Sequence, residues 1–173
     1  MSTLHAITVL GHDRPGIIAE TTGRLAGLGL NIDDSTMTLL RGHFAMMLIC
    51  EGAASDAEIE TALAPLTDDG TLSVSVRAVP EEDVPGSDGS SWVLTVHGGD
   101  RPGIVSSVVA EVARAGGNIT DFTTRLAGEL YLLVAEINLP ASADVAAVED
   151  AIKSVASGLG VGATLRAAEA DEL

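Results

Sequence analysis

A chain that repeats itself can fold in few ways, and this one of 173 residues repeats at an offset of 87. Thr8-Val9-Leu10-Gly11-His12-Asp13-Arg14-Pro15-Gly16-Ile17 lies over Thr95-Val96-His97-Gly98-Gly99-Asp100-Arg101-Pro102-Gly103-Ile104. The register continues without gaps to Asn31-Ile32-Asp33-Asp34 over Asn118-Ile119-Thr120-Asp121, and from Ile7 to Asp34 13 of 28 positions are identical. Near the ends Val76-Arg77-Ala78 matches Leu165-Arg166-Ala167 at an offset of 89, so the second copy carries two extra residues. The period is too long for a solenoid unit, and the length suits two small domains. We expect domains over residues 1–79 and 92–173, joined by a polar, turn-rich linker over 80–91.

Each copy reads as strand, helix, strand, strand, helix, strand. Ile7 and Val9 alternate with Thr8 and Leu10, and the run ends at Gly11. Asp13 stands where a helix N-cap would, with Pro15 in the first turn. Ile18, Thr21, Leu25 and Leu28 then recur at helical spacing up to Gly29, and Val105, Val108, Val112 and Gly116 repeat this. Two strands follow, Asn31–Leu39 and His43–Cys50, turning at Arg41-Gly42; Asn118–Leu126 and Leu130–Leu139 correspond. Ser55-x-x-Glu58 is a capping box opening a helix through Ile59, Leu63 and Leu66. Val145, Val148, Ile152, Val155 and Leu159 mark its counterpart, and Leu72, Val74 and Val76 the last strand. With right-handed crossovers this βαββαβ order is α+β and ferredoxin-like: a four-stranded antiparallel sheet with both helices on one face, twice.

Composition narrows the function. There are 25 Asp and Glu against 9 Lys and Arg, a net charge of −16, and four aromatic residues: Phe44, Trp92, Phe122 and Tyr131. Nucleic-acid affinity rests on Lys and Arg, and single-strand binding on aromatic platforms, so direct nucleic-acid contact is disfavoured. Anionic membrane surfaces are disfavoured for the same reason. One cysteine, Cys50, leaves no intrachain disulfide and no multi-cysteine metal site. The N-terminus lacks a basic signal region, and the longest apolar run, Phe44–Cys50, is far below a membrane span. The expectation is a soluble cytoplasmic protein whose partners are cationic or zwitterionic small molecules, or other proteins.

Chemistry concentrates in the loop from first strand to first helix, Gly11-His12-Asp13-Arg14-Pro15-Gly16 and Gly98-Gly99-Asp100-Arg101-Pro102-Gly103. For one isolated copy, a plain turn with an N-cap accounts for it equally well. Yet a capping box would place Glu or Gln where Gly16 and Gly103 stand, and glycine there lets a ligand approach free backbone N–H groups that attract anions. An α-carboxylate suits them, and Asp13 or Asp100 could hold an ammonium. Asn31 and Asn118 open the second strands; an amide can bond both ends of an amino acid, although for the Asn alone, following Gly29-Leu30 or Gly116-Gly117, turn chemistry is the better reading.

The doubled Asp-Arg-Pro-Gly loop, the Asn-Ile some 17 residues on and the βαββαβ order resemble the ACT domain, a small-molecule regulatory module of amino-acid metabolism. The resemblance covers residues 4–79 and 92–169, and two such domains alone resemble the glycine cleavage system transcriptional repressor group. It implies domains joined edge to edge, with amino acids bound where the first loop of one meets the second-strand Asn of the other. One implied site is Gly11, His12, Asp13 and Gly16 with Asn118; the other is Gly98, Gly99, Asp100 and Gly103 with Asn31. His12 stands where the second copy has Gly99, so the two sites differ. It further implies a regulator of glycine or one-carbon metabolism acting through a protein partner. We expect no catalysis and no cofactor, and a homodimer, since a two-domain sheet still exposes a helical layer or edges. The alternative is an interaction subunit of an amino-acid enzyme with no ligand of its own.

Other candidates read as structural. His5, His12, His43 and His97 show no metal-ligand spacing, and His5 aligns with Trp92 as a packed strand residue. His12 beside Asp13 resembles an acid/base pair, but no nucleophile stands near it, so catalysis is not expected. Arg14 and Arg101 read as solvated helix-start residues in preference to sheet-edge partners.

Overall fold

The computed structural model describes residues 2–80 and 88–169. The chain divides into two compact units, Met1–Asp83 and Val84–Leu173. Positions 81–87 of the expected linker lie outside the described residues.

The first unit runs β1 (Thr3–His12), α1 (Ile17–Gly27), β2 (Asn31–Leu40), β3 (His43–Gly52), α2 (Asp56–Leu63), a 3-10 turn (Ala64–Leu66) and β4 (Leu72–Val79). The second repeats it as β5 (Ser90–Gly99), α3 (Ile104–Arg114), β6 (Asn118–Ala127), β7 (Leu130–Leu139), α4 (Val145–Gly158) and β8 (Val161–Ala167). Each is an antiparallel four-stranded sheet, ordered β2-β3-β1-β4 and β6-β7-β5-β8. The βαββαβ expectation therefore holds for both copies.

Period-two alternation sets the layers. In β1 the inward residues Ile7 and Val9 are fully buried and sit across from Leu48 and Met46 of β3. They pack with Leu25 of α1 and with Ile59 and Leu63 of α2. Leu94, Val96, Val108, Leu133, Ile137 and Ile152 build the same layer in the second unit. Each such burial favours folding by about 1.5–3 kcal/mol.

Several local details depart from the sequence reading. The first helices start on Ile17 and Ile104, and these face the core while Ile18 is exposed, so the apolar stripes begin one residue earlier than expected. The α-helix through Ile59 stops at Leu63, because Pro65 has no N–H to continue it; Leu66 is buried in the 3-10 turn instead. The second and third strands run to Leu40 and Gly52, past the expected Leu39 and Cys50, and the second strand of copy two ends at Ala127 rather than Leu126. A bulge interrupts β2 between Ile32 and Asp34, and β6 between Ile119 and Asp121. His5 is buried as expected, and it also pairs: its Nδ1 lies 2.8 Å from Asp56 Oδ1, while Asp56 Oδ2 accepts the Ala78 N–H. That chain ties β1, α2 and β4 together. Among the described residues no helix is long and apolar enough to cross a membrane.

Candidate functional site

The structure puts the N-cap of α1 at Gly16 and that of α3 at Gly103, not at Asp13 or Asp100. Both glycines are left-handed, with φ of 89° and 94°. That region is costly for a residue with a Cβ, so their glycine is required by the turn rather than tolerated inside the helix. Pro15 and Pro102 accordingly precede the helices. A glycine has no side chain to cap with, and neither helix has a side-chain cap. The first helical bonds are Glu20 N–H to Gly16 O and Ser107 N–H to Gly103 O. The N–H groups of Ile17, Ile18 and Ala19, and of Ile104, Val105 and Ser106, thus carry the positive end of each helix dipole without a capping partner.

The second helix of each unit differs. Ser55 accepts the Glu58 N–H and Glu58 returns a bond to the Ser55 N–H, the expected capping box; Asp144 accepts the Ala147 N–H. The backbone N–H of Ser55 first, and then its hydroxyl, hold the Glu58 carboxyl below its ordinary value. The chain therefore caps its helices wherever the loop motif is absent, and leaves them open where it is present.

Asp13 donates its backbone N–H to Gly42 O at 2.9 Å, which fastens the loop to the β2–β3 turn. The Asp13 and Asp100 side chains are exposed, with no hydrogen bond or ion pair among the described residues. His12 and Gly99 are exposed as well. Gly11 is required by close packing, since a Cβ there would lie 2.0 Å from Thr71 O, and His12 N–H bonds that same oxygen. Gly98 is similar, with its Cβ position 2.7 Å from Val161 Cγ1.

Asn31 and Asn118 sit elsewhere. Asn31 pairs with Glu51 at one end of β3, whereas His12 pairs with His43 at the other. Eight residues of strand separate them, about 27 Å. The same holds for Gly99 across from Leu130 and Asn118 across from Asn138. Loop and amide are thus not brought together inside a unit. Asn31 is exposed and donates to Asp33 Oδ1 at 2.8 Å. Beside it Ser2, Thr3, Leu4, Asp33, Glu51 and Val79 line a cleft of about 280 Å³. Glu51 and Asp33 escaped the sequence reading, since only register and the bulge place them next to Asn31. Their counterparts, Thr120 and Asn138, are uncharged.

Arg14 is not solvated. It is half-buried and donates from Nη2 to Glu20 Oε2 at 3.1 Å, while Arg24 holds Glu20 Oε1 at 3.0 Å. Arg24 first and then Arg14 keep the Glu20 carboxyl below its ordinary value. Arg101, though exposed, leans toward the α4–β8 turn, where a Cβ on Gly160 would lie 3.5 Å from its guanidinium carbon. Arg14 thus ties its loop to α1, whereas Arg101 stays exposed.

Two open helix ends, each preceded by an unpaired aspartate and built by one repeated motif, define the class. A model of the ACT domain matches residues 4–77 and 91–166, and the chain belongs to the ACT-domain family. Within it, the chain is similar to the glycine cleavage system transcriptional repressor of Escherichia coli K12, at 27% identity over 161 residues, 88% of this chain and 84% of the relative. It matches a UPF0237 protein of Listeria innocua at 35% identity over 77 residues, 44% of this chain and 86% of that one. The crystal structure of an unknown protein from Galdieria sulphuraria covers 97% of this chain, and the match 99% of that one, at 27% identity with a TM-score of 0.82. A candidate glycine cleavage system transcriptional repressor shares the fold, with a TM-score of 0.71 at 17% identity over 96% of this chain and 97% of that one.

Proposed function

We propose that this chain is a non-catalytic regulatory protein that senses an amino acid and signals to a protein partner. The observation that carries the reading is the contrast between open and closed helix ends. An α-carboxylate takes the free N–H groups after Gly16 or Gly103, and Asp13 or Asp100 takes the α-ammonium. The amides of Asn31 and Asn118 are further candidate ligand groups, each about 27 Å from the loop of its own unit. His12, Gly11, Gly98 and Gly99 border the ligand. The likeness to glycine cleavage system repressors supports a role in controlling glycine or one-carbon metabolism from the cytoplasm, as a homodimer. With a net charge of −16, such control runs through a protein that touches DNA and not through this chain itself.

Calorimetry against the twenty amino acids tests this. Wild type binds at least one, and the Asp13→Ala, Asp100→Ala double variant loses it. At 100 times the dissociation constant the ligand adds about 2.7 kcal/mol of stability, which a thermal-shift screen resolves. A silent panel, or unchanged binding by the double variant, overturns the reading.

A further inference from the structure

We propose that His12 and His43 form a two-imidazole site for a borderline divalent transition metal, in the first unit only. The histidines are 31 positions apart in sequence, which is why no ligand spacing shows along the chain. The ladder brings them together as the last pair between β1 and β3. The phase of that ladder matters. Asp13 N–H bonds Gly42 O, which joins the residue after His12 to the residue before His43. His12 N–H points the other way, to Thr71 O on the β4 side. Both bonds identify His12–His43 as a non-hydrogen-bonded pair, the kind whose side chains lie closest, with Cβ atoms about 4.5–5.5 Å apart on one face.

Two imidazoles leaving one sheet face at that spacing can each offer a nitrogen to one ion at about 2.0–2.1 Å. Both residues are exposed, so water completes the coordination. The His12 ring already leans over the β2–β3 turn, with Cε1 3.9 Å from a Cβ position on Gly42. No group of three or more metal-ligating residues exists among the described residues, so the site is a bidentate one. Imidazole pairs favour Cu2+, Ni2+ and Zn2+ and reject Mg2+ and Ca2+, which take oxygen ligands. The net charge of −16 concentrates divalent cations at the surface. The second unit has Gly99 and Leu130 at the matching pair and offers no nitrogen. His5 is buried against Asp56, and the His97 ring packs on Gly162, whose Cβ position lies 2.7 Å from its Cε1. The site rests on the β1–β3 register; it shares His12 with the border of the proposed amino-acid site, whereas His43 lies outside that site, so the His43→Leu result separates metal binding from amino-acid sensing.

The test is calorimetric titration of the whole chain with CuCl2, NiCl2, ZnCl2 and MgCl2. One site per chain is expected, with Cu2+ tighter than Ni2+ and no response to Mg2+. His12→Asn and His43→Leu each weaken Ni2+ binding by about tenfold or more, whereas His97→Gln leaves it unchanged. Circular dichroism confirms that the variants stay folded. Proton spectra add a second readout: Cu2+ broadens the ring signals of His12 and His43 and spares His97. Ni2+ affinity unaltered by His43→Leu, or broadening spread over all surface histidines, overturns the site.

Discussion

The approach of β1 to the start of β4 makes a sharp prediction about two glycines in one loop. Gly11 and Gly16 both have positive φ, 151° and 89°. Their surroundings differ: a Cβ at Gly11 would meet Thr71 O at 2.0 Å, and one at Gly16 meets nothing within 4 Å. Gly16→Ala therefore carries only the left-handed backbone cost, about 1–2 kcal/mol. Gly11→Ala carries backbone strain of about 1–3 kcal/mol and, in addition, about 1–3 kcal/mol of overpacking against a carbonyl that also receives the His12 N–H. The sum is about 2–6 kcal/mol, a large share of a small domain's stability. The assay needs care, because Trp92 and Tyr131 both lie in the second unit and report only on it. Unit one is followed by hydrogen exchange at the amides of β1 and β3 in increasing urea. Gly11→Ala lowers its opening free energy well below that of Gly16→Ala. Equal losses in the two variants would refute the packing argument.

Three further outcomes follow from the charge and burial of single groups. Glu58 is held low by the Ser55 N–H and hydroxyl, Glu20 by Arg24 and Arg14, and Asp69 by the Thr71 hydroxyl and N–H. A depressed folded value stabilises above the unfolded one and is lost as pH falls through the folded value. Urea midpoints therefore drop below the ordinary 4.5 of Glu and 3.8 of Asp. Ser55→Ala costs about 0.5–2 kcal/mol at neutral pH and less once Glu58 is protonated, read from the same midpoints. Cys50 is buried, and burial first, then Asp33, pushes its thiol up. A thiol reagent at mildly alkaline pH labels nothing in the native chain and one cysteine in urea; rapid native labelling would contradict that burial.

Much of this architecture is legible along the chain because its causes are local. Period-two alternation places Ile7 and Val9 inward, and Ser55 with Glu58 marks a helix start that needs no tertiary help. What escapes is set by distant neighbours. Asp13 looks like a cap, yet the loop is fastened to Gly42 and turns left-handed at Gly16, so the helix begins later. Arg14 looks solvated until Glu20 and Arg24 are seen around it. A one-residue bulge after Ile32 decides what stands beside Asn31, and the partner of His12 lies on another strand. Residue types at the candidate site could be read in sequence; which of them meet is a matter of register.

Every strand pairing of the first sheet closes within residues 3–79. During synthesis that unit is complete before the second begins to emerge. The second sheet closes only at Ala167, 88 residues after Val79, and at about 5–20 residues per second that stretch takes about 4–18 s, ample for a small mixed domain to fold. The order matters because Ile7–Asp34 and its later twin are nearly half identical and could exchange places in each other's sheets. Strand pairings that each close within one copy let the ribosome's timetable keep two look-alike strands from being confused.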